Sequence, residues 1–511
     1  MSEGEETILS KAFITRRNIL LEIQPIQENF SYAVVSHDPV TRQEKYEVIE
    51  PLLVEEEVEA LIRIKKHLES TISSTMSDFG TVEDAGTFLR KNMEEAFKLY
   101  KFKLGEGSKE KILYYLIRDH LSFGKMDVMM KDPLIEDISC NGPGVPLYIW
   151  HRTYESIPSN VQFVSHKELD SYIIRLAYKA KRMISVANPL LDASLPDGSR
   201  IQMTYSKYVT KQGSTYTIRK FKADPLTIVD LIINRTISPE IAAFLWYIVE
   251  NKCSIFVCGG VASGKTTMLN CLSSFIAPDS KIVTIEDTPE IQLYHKNWIR
   301  AVTRPGTGSS EEINLFDLLK ASMRQRPDYI LVGEIRGKEA YTLFQAMSTG
   351  HLGLATLHAE NVTSALRRLE NQPMNIPRMM VSGLNMVMVM ARREIDDKPI
   401  RKIIECAEVK GLDSSGRIDV DLLFEWDVTK DEWPLLSESF YLKKAAKLRG
   451  ITIEEAKHDI KMRTEILSYL AENNLRSFSE VTQVIRDYVK VPETIHESLT
   501  GQQTQTGSEV I

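Results

Sequence analysis

Residues 259–266 read GGVASGKT, which is glycine, four residues, glycine, lysine and threonine. This is the spacing of a P-loop, and a short apolar run before it (255–258) and a helical pattern after it (266–276) supply the strand–loop–helix context the motif needs. Gly259, Gly260 and Gly264 let backbone N–H groups turn toward phosphate oxygens without a Cβ in the way. Val261, Ala262 and Ser263 complete the loop, and Thr267 continues it into the helix, whose N-terminus adds positive partial charge. The pattern predicts that Lys265 reaches the β- and γ-phosphates of ATP, the substrate, and that the Thr266 hydroxyl is a ligand for Mg²⁺.

Hydrolysis needs acidic partners, and two carboxylate-bearing strands follow. One ends in Glu286-Asp287. The other, Asp328 to Glu334, ends in Gly333-Glu334. Ligands gather at the carboxyl ends of strands in such sheets. Gly333 stands where many strands of this kind carry a metal-linked aspartate. Glu334 is therefore assigned to the Mg²⁺ side, through water, and Glu286 to orienting the attacking water. The reverse assignment fits the same spacing. Next come His351 and His358, which bracket a short apolar strand; either could sense the γ-phosphate through its ring N–H.

These residues need a scaffold. Short apolar runs at 254–258, 281–285, 329–332 and 353–357 alternate with amphipathic helical patterns, which reads as a parallel sheet covered by helices. The expected fold is α/β, a RecA-like P-loop domain at 239–400 preceded by a mixed α+β domain at 111–221. Turn signals at Asn141-Gly142-Pro143-Gly144 and Pro196-Asp197-Gly198 punctuate the earlier domain. A linker is expected at 222–238, around Asp224-Pro225. Hairpins and helices are expected at 401–495, with capping boxes at Thr452/Glu455 and Ser477/Glu480. The polar tail 496–511 is expected to be disordered. Residues 1–110 read as a charged, helical, partner-binding region. In it Ile8-Leu9, Phe13-Ile14 and Ile19-Leu20-Leu21 recur at rough helical spacing around Arg16-Arg17, the pattern of an arm that docks on a partner or on anionic lipid, or of a helix or strand packed on its own domain. The methionine-rich run 379–390 reads as helical core, with a partner-binding surface as the alternative.

At 511 residues the chain suggests about three domains, and its net charge of -7 argues against a globally basic nucleic-acid binder. No apolar stretch reaches the roughly 18 residues that span a bilayer. The acidic N-terminus has no secretory signal pattern, so a cytoplasmic protein is expected. Five scattered cysteines form no CxxC pair and read as small buried apolar residues.

EDTPE at 286–290, RPDYILVGEIRGKEA at 326–340 and TGHLGLATLHA at 349–359 resemble the Asp box, Walker B and His box of secretion-type ATPases. The likeness extends upstream through DPLIEDISCNG at 132–142 and LPDGSRI at 195–201, covers roughly residues 110 to 400, and is strongest toward the motor ATPases of archaeal surface filaments, the archaella. The resemblance implies a homo-hexameric ring at the inner face of the membrane. It also implies a polytopic membrane platform protein and other cytosolic motor subunits as partners, with no nucleic acid. It places Arg200 and Arg219 as arginines that approach the nucleotide from the N-terminal domain, in the manner of arginine fingers. The four-cysteine zinc module of many bacterial assembly ATPases is absent, which favours the archaeal branch. An archaeal pilus or secretion ATPase is the nearest alternative. A nucleic-acid translocase on the same core would need a basic, aromatic-lined channel, and no such cluster stands out.

Overall fold

The computed structural model describes residues 18–71, 82–221, 225–304, 312–395 and 398–501. The chain divides into two compact units, Met1–Lys222 and Ala223–Ile511.

The first unit is built on a nine-stranded sheet. Its strands are β1 (Ile19–Gln27), β2 (Ser31–Asp38), β3 (Gln43–Ile49), β4 (Ile135–Cys140), β5 (Pro146–His151), β6 (Glu155–Gln162), β7 (Leu190–Ser194), β8 (Arg200–Thr204) and β9 (Thr215–Arg219). Their order is β1-β2-β3-β6-β5-β4-β9-β8-β7. The helical reading of the first 110 residues is thus corrected at its start. Ile19-Leu20-Leu21 lies in a strand, and the helices Glu55–Thr71 and Val82–Tyr100 come only later. The reason lies in β2, SYAVVSHD, whose β-branched and aromatic residues are buried as one run inside the sheet. Ile8, Leu9, Phe13 and Ile14 fall outside the described residues. Strands β3 and β6 meet at a single pair, Tyr46 and Ser159. The Asn160 side-chain amide extends that pairing, accepting from Val48 N at 2.9 Å and donating to Val48 O at 3.0 Å.

In the second unit eight strands form one sheet: β10 (Ile255–Gly259), β11 (Ile282–Glu286), β12 (Trp298–Val302), β13 (Tyr329–Ile335), β14 (Leu352–Leu357), β15 (Met386–Ile395), β16 (Lys398–Leu412) and β17 (Ile418–Glu425). The order is β12-β11-β13-β14-β10-β15-β16-β17. The first six are parallel, and the last two add antiparallel hairpins. Helices cover both faces, so central strands are apolar throughout. Ile255 and Val257 enter the core on one face, Phe256 and Cys258 the core on the other. This is the RecA-like α/β arrangement.

Several expected boundaries shift. The 401–495 segment is no appendage: β16 runs through residue 400, and the helices after it share the core of the P-loop face. The expected linker is mostly folded, because Thr227 caps the helix Ile228–Ile233 with a capping box and four of that helix's apolar residues are buried. Asp224 lies outside the described residues. The 379–390 run is core only in its second half: Met379 is 71 % exposed on a short helix, whereas Met386, Met388 and Met390 are buried in a strand, where alternate positions face one side. The tail begins later than expected, since the helix Pro492–Thr500 buries His496; 502–511 fall outside the described residues. Thr452 and Glu455 form the reciprocal capping box, whereas Ser477 only caps. All five cysteines are free and buried.

The C-terminal helices are tied to the P-loop core by one buried cation. Arg463 donates to Glu250 at 2.7 Å and to Asp459 at 2.9 Å, and its guanidinium lies 4.7 Å from the Trp246 ring centroid and 4.9 Å from that of Tyr488. Deleting one partner of a buried pair strands the others. Arg463→Ala is expected to cost about 3 kcal/mol of unfolding free energy, read as a lower urea midpoint. An unchanged midpoint would show that this cation holds nothing together.

Candidate functional site

The strand registers place the site. Cys258 pairs with Leu357, Leu357 with Ile335, and Ile285 with Val332. The carboxyl ends of β10, β14, β13 and β11 therefore lie side by side. At or beside those ends stand Gly259, His358, Gly333-Glu334 and Glu286.

The loop after β10 folds as its glycines predict. Gly259 has φ +154° and Gly264 +93°, both closed to most side chains. A Cβ at Gly259 would come within 2.4 Å of both Met390 O and Ser263 Oγ. Ser263 Oγ donates to Gly260 O at 3.0 Å, and Lys265 Nζ donates to the same carbonyl at 2.6 Å. Gly260, Val261 and Ala262 form the outer rim. Lys265, Thr266 and Thr267 open the helix Lys265–Ser273, with Gly264 as a left-handed N-cap that contributes no side chain to the free N–H groups.

Glu286 is 1 % exposed. Its Oε1 accepts from the backbone N–H of Glu290 at 2.8 Å and of Ile291 at 2.9 Å, while Oε2 has no partner among the described residues. Burial pushes its carboxyl up to about 7. A Cβ at Gly333 would stand 3.2 Å from Glu286 Cγ. The glycine there makes room for the carboxylate of the neighbouring strand.

Glu334 follows a register irregularity between Val332 and Ile335, where Thr356 Oγ1 donates to Gly333 O at 2.5 Å. Its carboxylate accepts from Arg336 at 2.5 Å. His358 is partly buried, and its carbonyl accepts from Arg368 at 2.8 Å. Burial first, then the charge of Lys265, lower its pKa, while Glu334 opposes the shift. Its ring is thus neutral around pH 7, able to donate one N–H.

His351 is corrected. It precedes the amino end of β14, and six residues of parallel strand, roughly 20 Å, separate it from the cradle of its own unit. There its Nδ1 lies 3.1 Å from Ala346 O at the end of the helix Glu339–Ser348. Arg200 and Arg219 are exposed and directly opposite each other on β8 and β9 of the first unit.

Two residues went unassigned in the sequence. Arg336 was visible one position beyond Ile335 and bridges Glu334 toward Asp287, 4.0 Å away. Arg401 carries no local motif; it reaches the loop from β16, donating to Ala262 O at 3.0 Å. Only the antiparallel return of that strand brings it there.

Among the described residues no group of three or more His, Cys, Asp or Glu could hold a metal ion. Thr266 and Glu334 supply hard oxygen donors, and Glu286 Oε2 is a buried acceptor still unmet. That set fits Mg²⁺ held by one or two side chains together with substrate phosphates.

Fold and cradle together define a RecA-like P-loop nucleotide-binding protein. The sequence profile of the family described as "Type II/IV secretion system protein" matches residues 126–464, and the chain belongs to that family. A Methanocaldococcus jannaschii protein is 36% identical over 390 residues, covering 75% of this chain and 71% of its own. Protein VirB11 of Agrobacterium fabrum is 27% identical, covering 47% of this chain and 76% of its own. Among solved structures, the VirB11 ATPase of Brucella suis is 25% identical with a TM-score of 0.28, covering 55% of this chain and 91% of that one. Among the described residues no helix is long and apolar enough to cross a membrane.

Proposed function

We propose that this chain is an Mg²⁺-dependent ATPase that works as a homo-hexameric motor at the inner face of the cell membrane. It drives a polytopic platform protein, alongside other cytosolic motor subunits, to assemble or rotate an archaeal surface filament of the archaellum type. The observation that carries the reading is the convergence of Lys265, Thr266, Glu286 and Glu334 at adjoining strand ends. The archaeal direction is supported by the relative from Methanocaldococcus jannaschii, which aligns with three quarters of the chain.

Bound Mg²⁺ would supply positive charge to the phosphates, with Thr266 and Glu334 holding it. Lys265 exchanges the Gly260 carbonyl for phosphate oxygens. Glu286, ionised, accepts a proton from the attacking water through Oε2 while two backbone N–H groups fix Oε1. His358 donates its ring N–H toward the γ-phosphate. Arg200 and Arg219, opposite each other on β8 and β9, offer two guanidinium groups to a phosphate.

ATP turnover by the purified chain, with sedimentation in a non-hydrolysable analogue, tests the motor. A fully active monomer at all concentrations overturns the ring. Deletion of the gene separates the filament readings: lost swimming with intact pili supports the archaellum, and the converse overturns it. For the arginines, Arg200→Ala with Arg219→Ala is expected to keep ATP binding and lose most turnover. It should also lose the nucleotide-dependent distance change between spin labels on the two units. The same distance change as in the parent would remove the arginines from the coupling.

A further inference from the structure

The second unit carries a trough of about 1070 Å³ that the nucleotide site does not use. Its walls are the helix Pro239–Glu250, the end of β17, the segment after it, and the helices Phe440–Arg449 and Ile453–Glu472. Phe244 and Phe424 are buried in it, while Leu435 is 64 % and Ile453 38 % exposed. The volume is at the upper end for small-molecule pockets, and the exposed apolar side chains run along an open channel.

The rim decides the partner's charge. Arg235 is paired with Asp431 at 3.3 Å, Lys457 with Glu454 at 3.0 Å, and Lys443 with Glu438. Glu240 and Glu432 have no ion-pair partner among the described residues. Asp431 is shared with Lys402, so the pairs leave the trough with an excess of one negative charge, and Glu240 and Glu432 are its carboxylates outside any ion pair among the described residues. The backbone decides the partner's shape. β17 is the edge strand, but its edge is covered by the bridge from Phe424 to Leu435 and by the bond from Leu436 N to Leu423 O at 2.8 Å. At the end of β17 that lines the trough an added strand finds no free edge, which favours the helix-in-groove mode.

We infer that this trough docks a basic amphipathic helix presented by a partner protein. The dock is wired to the P-loop through two consecutive residues of β16 that point to opposite faces. Arg401 donates to Ala262 O at 3.0 Å. Lys402 donates to Asp431 at 2.5 Å and lies 5.6 and 5.3 Å from the ring centroids of Trp426 and Trp433. The wall that meets the helix is therefore pinned one residue from the contact with the phosphate loop.

The test uses the full chain without nucleotide, so it stands apart from the ATPase reading. The probe is a fluorescent model helix of leucine and lysine with leucines at i, i+3, i+4 and i+7; its counterpart carries glutamate for lysine. Anisotropy is expected to show the lysine helix binding at least about tenfold more tightly. Glu240→Lys with Glu432→Lys, and separately Leu435→Asp, should each weaken it about tenfold with unchanged circular dichroism. Glu240→Gln with Glu432→Gln, which cannot disturb packing by repulsion, should fall between. Equal binding of both helices, or binding indifferent to all these variants, overturns the proposal. So does loss of self-association in the lysine variants, which would give the trough to a second copy of the chain.

Discussion

Lys265→Ala abolishes ATP turnover and leaves the nucleotide-free fold intact. The lysine is half-buried at the mouth of the loop, and burial lowers its pKa while Glu334 and other nearby groups raise it. Its one visible bond, to Gly260 O, joins residues of the same loop, so no distant element depends on it. What the substitution removes is the cation that follows charge onto the γ-phosphate in the transition state. Losing a preorganised group of that kind costs on the order of 3 kcal/mol or more, a rate loss of at least about 10²–10³-fold. Turnover of the purified variant, beside its circular dichroism, measures this. Near-parental turnover with a native spectrum would end the P-loop argument.

Glu286→Gln is the second large effect. Glutamine keeps an acceptor for the backbone N–H groups of Glu290 and Ile291 but cannot take a proton at Oε2. Nucleotide binding should persist while hydrolysis falls by several kcal/mol of barrier, on the order of 10³-fold. Glu334→Gln should likewise bind and hydrolyse slowly. Failure of either to bind Mg²⁺–ATP would make it a binding residue first. The pH dependence has a definite sign. A base held up to about 7 loses activity as pH falls through that value, so parental turnover should show an acid limb there that the glutamine variant lacks. For stability the sign is opposite. The folded protein holds this proton more tightly than the unfolded chain does. The contribution is full below the ordinary carboxylate range and is lost as pH rises to about 7. Glu286→Gln should therefore flatten that part of the stability–pH curve.

The cradle was legible because its constraints are local. Gly259 and Gly264 need backbone conformations that only glycine adopts freely, and the lysine and threonine sit in register with the helix start. Glu286 and Glu334 were legible because strand ends in parallel sheets collect function. The same cues misled at His351. Histidines on both sides of a short strand look equivalent in sequence, yet a strand has two ends and only one meets the loop. Arg401 was invisible because its position depends on how β16 doubles back on β15, a long-range pairing with no local signature. The early strands were missed because β2 is buried as one run, not as an alternating stripe, and charged neighbours masked it.

Gly333 carries a last consequence, for the routes by which such a site can change. Glu286 and an acid at 333 would compete for one volume, since even a Cβ there lies 3.2 Å from the Glu286 side chain. A side chain at 333 therefore requires the Glu286 carboxylate to give way by a few tenths of an ångström. Gly333→Asp alone crowds the carboxylate already present, and shortening Glu286 alone empties the site before any replacement arrives. The glycine of β13 and the glutamate of β11 are thus coupled positions, and what can stand at one depends on how far the other yields.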